Sequence, residues 1–167
     1  MKNYTSYDLI EWGKPFEKSQ HALPEPTLSE VLIRVTAAGL CHSDLHVQKG
    51  YMDLGEEGRL TFAERGAQLP MTFGHEIAGI VEAIGDKVKN VSIGQQVIVF
   101  PWIGCGDCLA CNEDRESDCS AMRIIGLKQK GGFATHCLIE NEKFLVNIDG
   151  LDAADVVPHA CSGITVY

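Results

Sequence analysis

The sequence predicts a mainly β domain with short helices, folded as a small barrel or sandwich. Short runs rich in β-branched residues recur along the chain, separated by Gly, Pro and Asp turns. Hydrophobic residues make up 45% of the 167, enough for one ordinary core. No apolar run approaches the roughly 20 residues that cross a bilayer.

Pro24 and Pro26 close a polar leading segment, read as irregular. Residues 30–38 (EVLIRVTAA) are dense in β-branched side chains and read as a strand, which Gly39 and Leu40 break. Residues 41–48 form a short helix or turn. Residues 53–68 are polar, contain glycine and have no clear period, so they read as a loop or short helix; loops of that length are often functional. From Glu76 onward the pattern is β: residues 77–84, a turn at Gly85-Asp86, and residues 96–100 ahead of Pro101. Residues 132–139 and 143–146 read as further strands. Residues 152–157 start a helix that Pro158 cuts, and 162–167 open another element. Internal repeats and low-complexity tracts are absent from the sequence.

The formal charge is −9, with 23 acidic against 14 basic residues and no Lys/Arg cluster. A nucleic-acid surface or an anionic membrane is therefore a poor partner. The first residues lack the apolar core of a signal peptide, so a cytoplasmic protein is expected. Seven cysteines, an odd number without a signal sequence, fit a disulfide scaffold badly and metal thiolates in a reducing compartment better.

Cys105, Cys108, Cys111 and Cys119 form a C-x2-C-x2-C-x7-C run. Four thiols this close point to a closed tetrahedral zinc site; an iron–sulfur cluster also takes four thiolates. A four-thiolate zinc has no open position, so its part is to hold a loop. A second constellation is Gly39-Leu-Cys41-His42-Ser43-Asp44-Leu-His46 with Gly74-His75-Glu76 some thirty residues later. A catalytic zinc takes about three protein donors and keeps one position open, and a thiolate with an imidazole suits such a set. Taken singly, Cys41 and His75 are weak evidence, because a lone Cys is more often a small core residue and a lone His a satisfied donor.

The order of motifs is more specific. Gly-Leu-Cys41-His-Ser-Asp-Leu-His46, then Gly-His75-Glu, then the four-cysteine loop, then Cys161-Ser-Gly-Ile-Thr-Val-Tyr167 resembles the zinc-dependent alcohol dehydrogenases of the medium-chain dehydrogenase/reductase superfamily. The resemblance runs from about Val31 to Tyr167. It implies a GroES-like, partly open β-barrel catalytic domain over residues 1–155, with a structural-zinc loop at 104–120. Residues 156–167 would begin the hinge to a Rossmann domain that is absent.

By the same resemblance, two zinc ions are held per chain. Cys41, His75 and Cys161 are the catalytic ligands, Glu76 is an alternate ligand or near neighbour, and the four cysteines hold the structural ion. Zinc acts as a Lewis acid on an alcohol or carbonyl oxygen while hydride passes to or from a nicotinamide. Asp44 is implied as the carboxylate on the far nitrogen of His75. Ser43 and His46 form a proton relay through the cofactor ribose, His42 faces the pyrophosphate, Thr165 stands beside the nicotinamide and Trp102 lines the substrate pocket. His136 and Cys137 are taken as structural, and His21 and His159 carry no argued role.

The glycine-rich turn that binds NAD or NADP is not found in this sequence: after Gly104-Cys-Gly106, Leu109 stands where a third glycine belongs. The expectation is thus the catalytic half of an enzyme that oxidises small primary or secondary alcohols to aldehydes or ketones with NAD or NADP. That enzyme is a homo-oligomer at full length, and this chain alone is inactive. A non-catalytic zinc-binding interaction domain, or a truncated remnant, is the alternative.

Overall fold

The computed structural model describes residues 2–167. Two antiparallel strands open the chain, β1 (Asn3–Leu9) and β2 (Glu17–Ala22), paired from Asn3 opposite Ala22 to Asp8 opposite Glu17. The leading segment is therefore ordered, contrary to the sequence reading. Its inward positions include Ser6 and Asp8, and β2 is almost entirely polar, so no apolar alternation marks either strand.

The next elements are β3 (Val31–Gly39), α1 (His42–Lys49), β4 (Tyr51–Asp53), β5 (Arg59–Thr61), β6 (Met71–Thr72), β7 (Glu76–Ile84) and β8 (Gln96–Val99). They are followed by β9 (Trp102–Ile103), α2 (Leu109–Asn112), β10 (Arg123–Ile124), β11 (His136–Ile139), β12 (Leu145–Asn147), α3 (Ala153–Val156) and α4 (Ser162–Val166). The polar stretch at 53–68 is partly a hairpin: β4 and β5 pair around a tight 3₁₀ turn at Gly55–Glu57. The strand expected at 132–139 is shorter. Gly132 and Phe133 donate instead to the carbonyls of Gly74 and Phe73, at 2.7 and 2.9 Å, and so stay out of the main ladder.

The main sheet is antiparallel and open, in the order β11-β3-β7-β8-β12. A second sheet runs β2-β1-β6, and the pairs β4-β5 and β9-β10 stand apart; none closes into a barrel. Both faces of the main sheet are covered. Val31, Ile33, Ile77, Val81, Val97, Val99 and Ile139 bury one face, where alternating β-branched side chains pack well. On the other, Ala37, Ala78 and Ile98 meet Ile148, Val156 and Val157, which clamps α3 and the following 3₁₀ turn (Val157–Ala160) against the strands.

Candidate metal centre

The ladder between β3 and β7 puts Gly39 opposite Glu76. Cys41, just beyond β3, and His75, just before β7, therefore emerge at the same end of the sheet. The 3₁₀ turn packed on the sheet's second face delivers Cys161 to that end. The three donor atoms lie within 4.8 Å of one another. Gly74 makes the approach of His75 possible, because its φ is +89° and a Cβ there would stand 2.6 Å from the Phe133 ring.

Asp44 organises the donors from α1. Its Oδ2 accepts the Cys41 backbone N–H at 3.0 Å, an N-terminal cap, and its Oδ1 is 3.4 Å from His75 Nδ1. This leaves His75 Nε2 facing the centre, 3.3 Å from Ser43 Oγ, while that hydroxyl donates to Cys41 Sγ at 3.1 Å.

The donor set carries more negative charge than it can hold alone. Burial works against the Cys41 thiolate, but the Ser43 hydroxyl and N–H and the His75 imidazole outweigh it and lower the Cys41 pKa. His75 is raised: burial opposes its charge, and Asp44, then Cys41, reverse that. Cys161 is pushed up to about 12 by burial, by the Cys41 thiolate 3.9 Å away and by the Glu76 carboxylate. Two sulfurs with an imidazole within 4.8 Å suit a borderline-soft divalent ion such as zinc.

Glu76 lies outside the three-donor set. Its carboxylate is buried and accepts the Ser162 backbone N–H at 3.1 Å. The centre opens on a cavity of about 280 Å³. Ser43, Asp44, His75 and Cys161 form its polar end; Trp102, Met52, Phe62, Ile124 and Leu127 line the rest. The sequence singled out only Trp102 among these apolar side chains. Ile124 sits on a strand of two residues and Met52 on one of three, lengths at which alternation carries no signal. His42 is exposed on α1 and its ring packs against His46 with centroids 4.8 Å apart. Thr165 is exposed and donates its hydroxyl to the Cys161 carbonyl at 2.7 Å.

The second cluster fills the lobe between β9 and β10. Cys105, Cys108, Cys111 and Cys119 bring their sulfurs within 4.8 Å of one another, with Cys108 and Cys111 3.5 Å apart. Gly104 is needed here for space, since a Cβ would stand 2.5 Å from Cys111 Sγ. Backbone N–H groups of Asp107 and Cys108 hold Cys105 down at about 6. Although the Gly106 N–H favours its thiolate, Cys111 is pushed up to about 11 by burial and by the crowding thiols.

Fold and donor sets together define a GroES-like domain of the medium-chain dehydrogenase type. Residues 27–150 match the alcohol dehydrogenase GroES-like domain, and the chain belongs to that family. It is 40% identical over 160 residues to an NAD-dependent alcohol dehydrogenase of Sulfurisphaera tokodaii, a match covering 95% of this chain and 45% of that protein. The D-arabinose dehydrogenase structure from Sulfolobus solfataricus superposes with a TM-score of 0.82 at 30% identity, over 99% of this chain and 46% of the other. The alcohol dehydrogenase of Aeropyrum pernix gives 0.82 at 27% identity, over 98% and 46%. The chain thus spans about half the length of the relatives it matches. Among the described residues no helix is long and apolar enough to cross a membrane.

Proposed function

We propose that the chain is the catalytic domain of a zinc-dependent alcohol dehydrogenase. In this reading the whole enzyme oxidises small primary or secondary alcohols with NAD or NADP, in the cytoplasm and as a homo-oligomer. The observation that carries it is a Cys41–His75–Cys161 donor set at the mouth of a 280 Å³ cavity whose far walls are apolar. Zinc held by these three residues supplies Lewis-acid chemistry to an alcohol or carbonyl oxygen.

The chain's own side chains then have separable tasks. Asp44 fixes the His75 ring so that Nε2 faces inward. Ser43 Oγ, poised between Cys41 and His75, is the hydroxyl placed to take and pass on a proton. His46, half-buried one turn further along α1, would receive that proton by way of the cofactor ribose and release it to solvent. His42 and Thr165 are both exposed and would meet the nucleotide, and Trp102 would hold the apolar part of the substrate. Glu76, buried beside His75 and close enough to raise the Cys161 pKa, would be an alternate ligand or near neighbour of the metal. Cys105, Cys108, Cys111 and Cys119 would hold a second, structural zinc. Residues 1–155 form the catalytic domain on this reading, with 156–167 leading towards the nucleotide-binding half.

Metal analysis tests the proposal. Two zinc ions per chain are expected, one lost in C41A and the other in C108A. Small alcohols should perturb the spectrum of the cobalt-substituted chain, while turnover by residues 1–167 alone should be negligible, because hydride transfer needs a nucleotide held at attack distance. A single zinc, lost in C108A and kept in C41A, would assign the chain instead to non-catalytic zinc-binding domains.

A further inference from the structure

Cys41 and His75 are placed by the β3–β7 ladder, whereas Cys161 reaches the centre on a separate segment. That segment has little rigidity of its own. The Cys161 backbone leaves regular geometry, with φ −137° and ψ −76°, and α4 after it is only five residues long. Its recorded hydrogen bonds mostly return to itself: Cys161 N–H and Ser162 Oγ–H donate to the Pro158 carbonyl, and Thr165 donates to the Cys161 carbonyl. Apart from the thiol contact between Cys41 and Cys161, the polar link from this segment to the sheet is the bond from Ser162 N–H to Glu76 Oε1.

Glu76 is built in to make that link. It is 2% exposed and stands directly across the ladder from Gly39. A Cβ at Gly39 would come within 2.1 Å of Glu76 Oε2, so a glycine at that ladder position leaves the space the carboxylate occupies. Its three points of attachment each adjoin a donor: Gly39 lies two residues before Cys41, Glu76 follows His75, and Ser162 follows Cys161.

We infer that Glu76 is a positioning residue of the centre, whose carboxylate holds the Cys161 backbone in register with Cys41 and His75 by accepting the Ser162 N–H. This rests on the metal-centre reading above. It assigns Gly39 the complementary part of leaving the carboxylate its room.

The test loads the purified chain with Co2+ and follows the thiolate-to-cobalt charge-transfer absorption of the Cys41–His75–Cys161 site, with C41A as the blank that leaves the four-cysteine site alone. E76Q keeps an acceptor oxygen and should retain wild-type affinity and absorption. E76L removes the acceptor, and G39A fills the carboxylate's place while leaving every donor present. Both should weaken the Cys41–His75–Cys161 site by about 10–100-fold and lose the Cys161 share of the absorption. The four-cysteine site should fill normally in all variants, and the amides of β3, β7 and β8 should keep the parent's hydrogen-exchange protection, which reports an intact sheet. Loss in E76Q as severe as in E76L would overturn the inference in favour of a charge or direct-ligation role. So would wild-type affinity and absorption in both E76L and G39A. A parent chain that binds one cobalt only would instead sink the metal-centre reading, and that arm is read first.

Discussion

Asp44 Oδ1 stands 3.4 Å from His75 Nδ1, and the same carboxylate caps the Cys41 backbone through Oδ2 at 3.0 Å. One buried side chain thus aligns donors that are 34 residues apart in sequence. D44A should lower affinity at the Cys41–His75–Cys161 site by about 10–100-fold, measured by competition with a chromophoric chelator. It should leave the four-cysteine site unchanged. Equal weakening of both sites would show that Asp44 acts on the fold at large.

Thiol chemistry should sort the seven cysteines. In the metal-free chain the four lobe cysteines, freed with their loop, and Cys41, whose pKa is lowered by Ser43 and His75, should alkylate early. Cys137 is buried on β11 and pushed up to about 12 by desolvation alone, so it should react last, after unfolding. Zinc should protect the other six. Mass spectrometry that finds Cys137 modified as fast as Cys105 would contradict the burial of β11.

Asp8 should give the folded domain an acid-side dependence. Burial alone would raise its pKa. The Thr72 hydroxyl at 2.6 Å, with Ser6, His21 and Ser19 beside it, reverses that and holds the carboxyl below 3.8. A depressed carboxylate stabilises the fold above its unfolded pKa, and that contribution fades as pH falls through the folded value, so the window lies below 3.8. D8N should cost about 1–3 kcal/mol at neutral pH, and the gap to wild type should narrow by about pH 3, in urea titrations of the reduced, metal-free chain. A constant gap across that range would remove Asp8 as the source.

The legible parts of this molecule were those where chemistry or apolar pattern is concentrated in sequence. The strands at β3, β7 and β8 stand out because their β-branched residues are buried on a two-sided sheet. The four-cysteine lobe stands out by spacing. Convergence of Cys41, His75 and Cys161 was reached through motif order; the physical cause, the Gly39–Glu76 register and the packing of Val157 behind the sheet, is a long-range fact that local pattern does not carry. The β1–β2 ribbon carries no strand signal because its inward side chains include Ser6 and Asp8 in place of an apolar stripe. Asp8 also explains His21, to which the sequence attached no role: its Nε2 lies 3.0 Å from the carboxylate. The bond from Glu76 to Ser162 spans 86 residues and was equally invisible.

Removing metal from the four-cysteine lobe should unfold the lobe and spare the sheet. Between residues 105 and 119 only Cys111 and Cys119 are buried, and Leu109, the one large aliphatic side chain there, is 71% exposed. The lobe's single α-helix, α2, has four residues, far below the length at which a helix holds itself. Its ion pairs of Arg115 with Glu113 and Asp118 lie on the surface and hold it weakly, and Glu116 pairs with Lys143 beside β12. Against these short-range bonds and single ion pairs the sulfur cluster is the lobe's one shared centre, so binding energy there is largely local folding energy. Hydrogen exchange should therefore show amides of 105–119 losing protection on chelation or in C108S, while those of β3, β7 and β8 keep theirs. If the sheet lost protection together with the lobe, the two would be one cooperative unit, and the lobe would have to be read as part of the domain core.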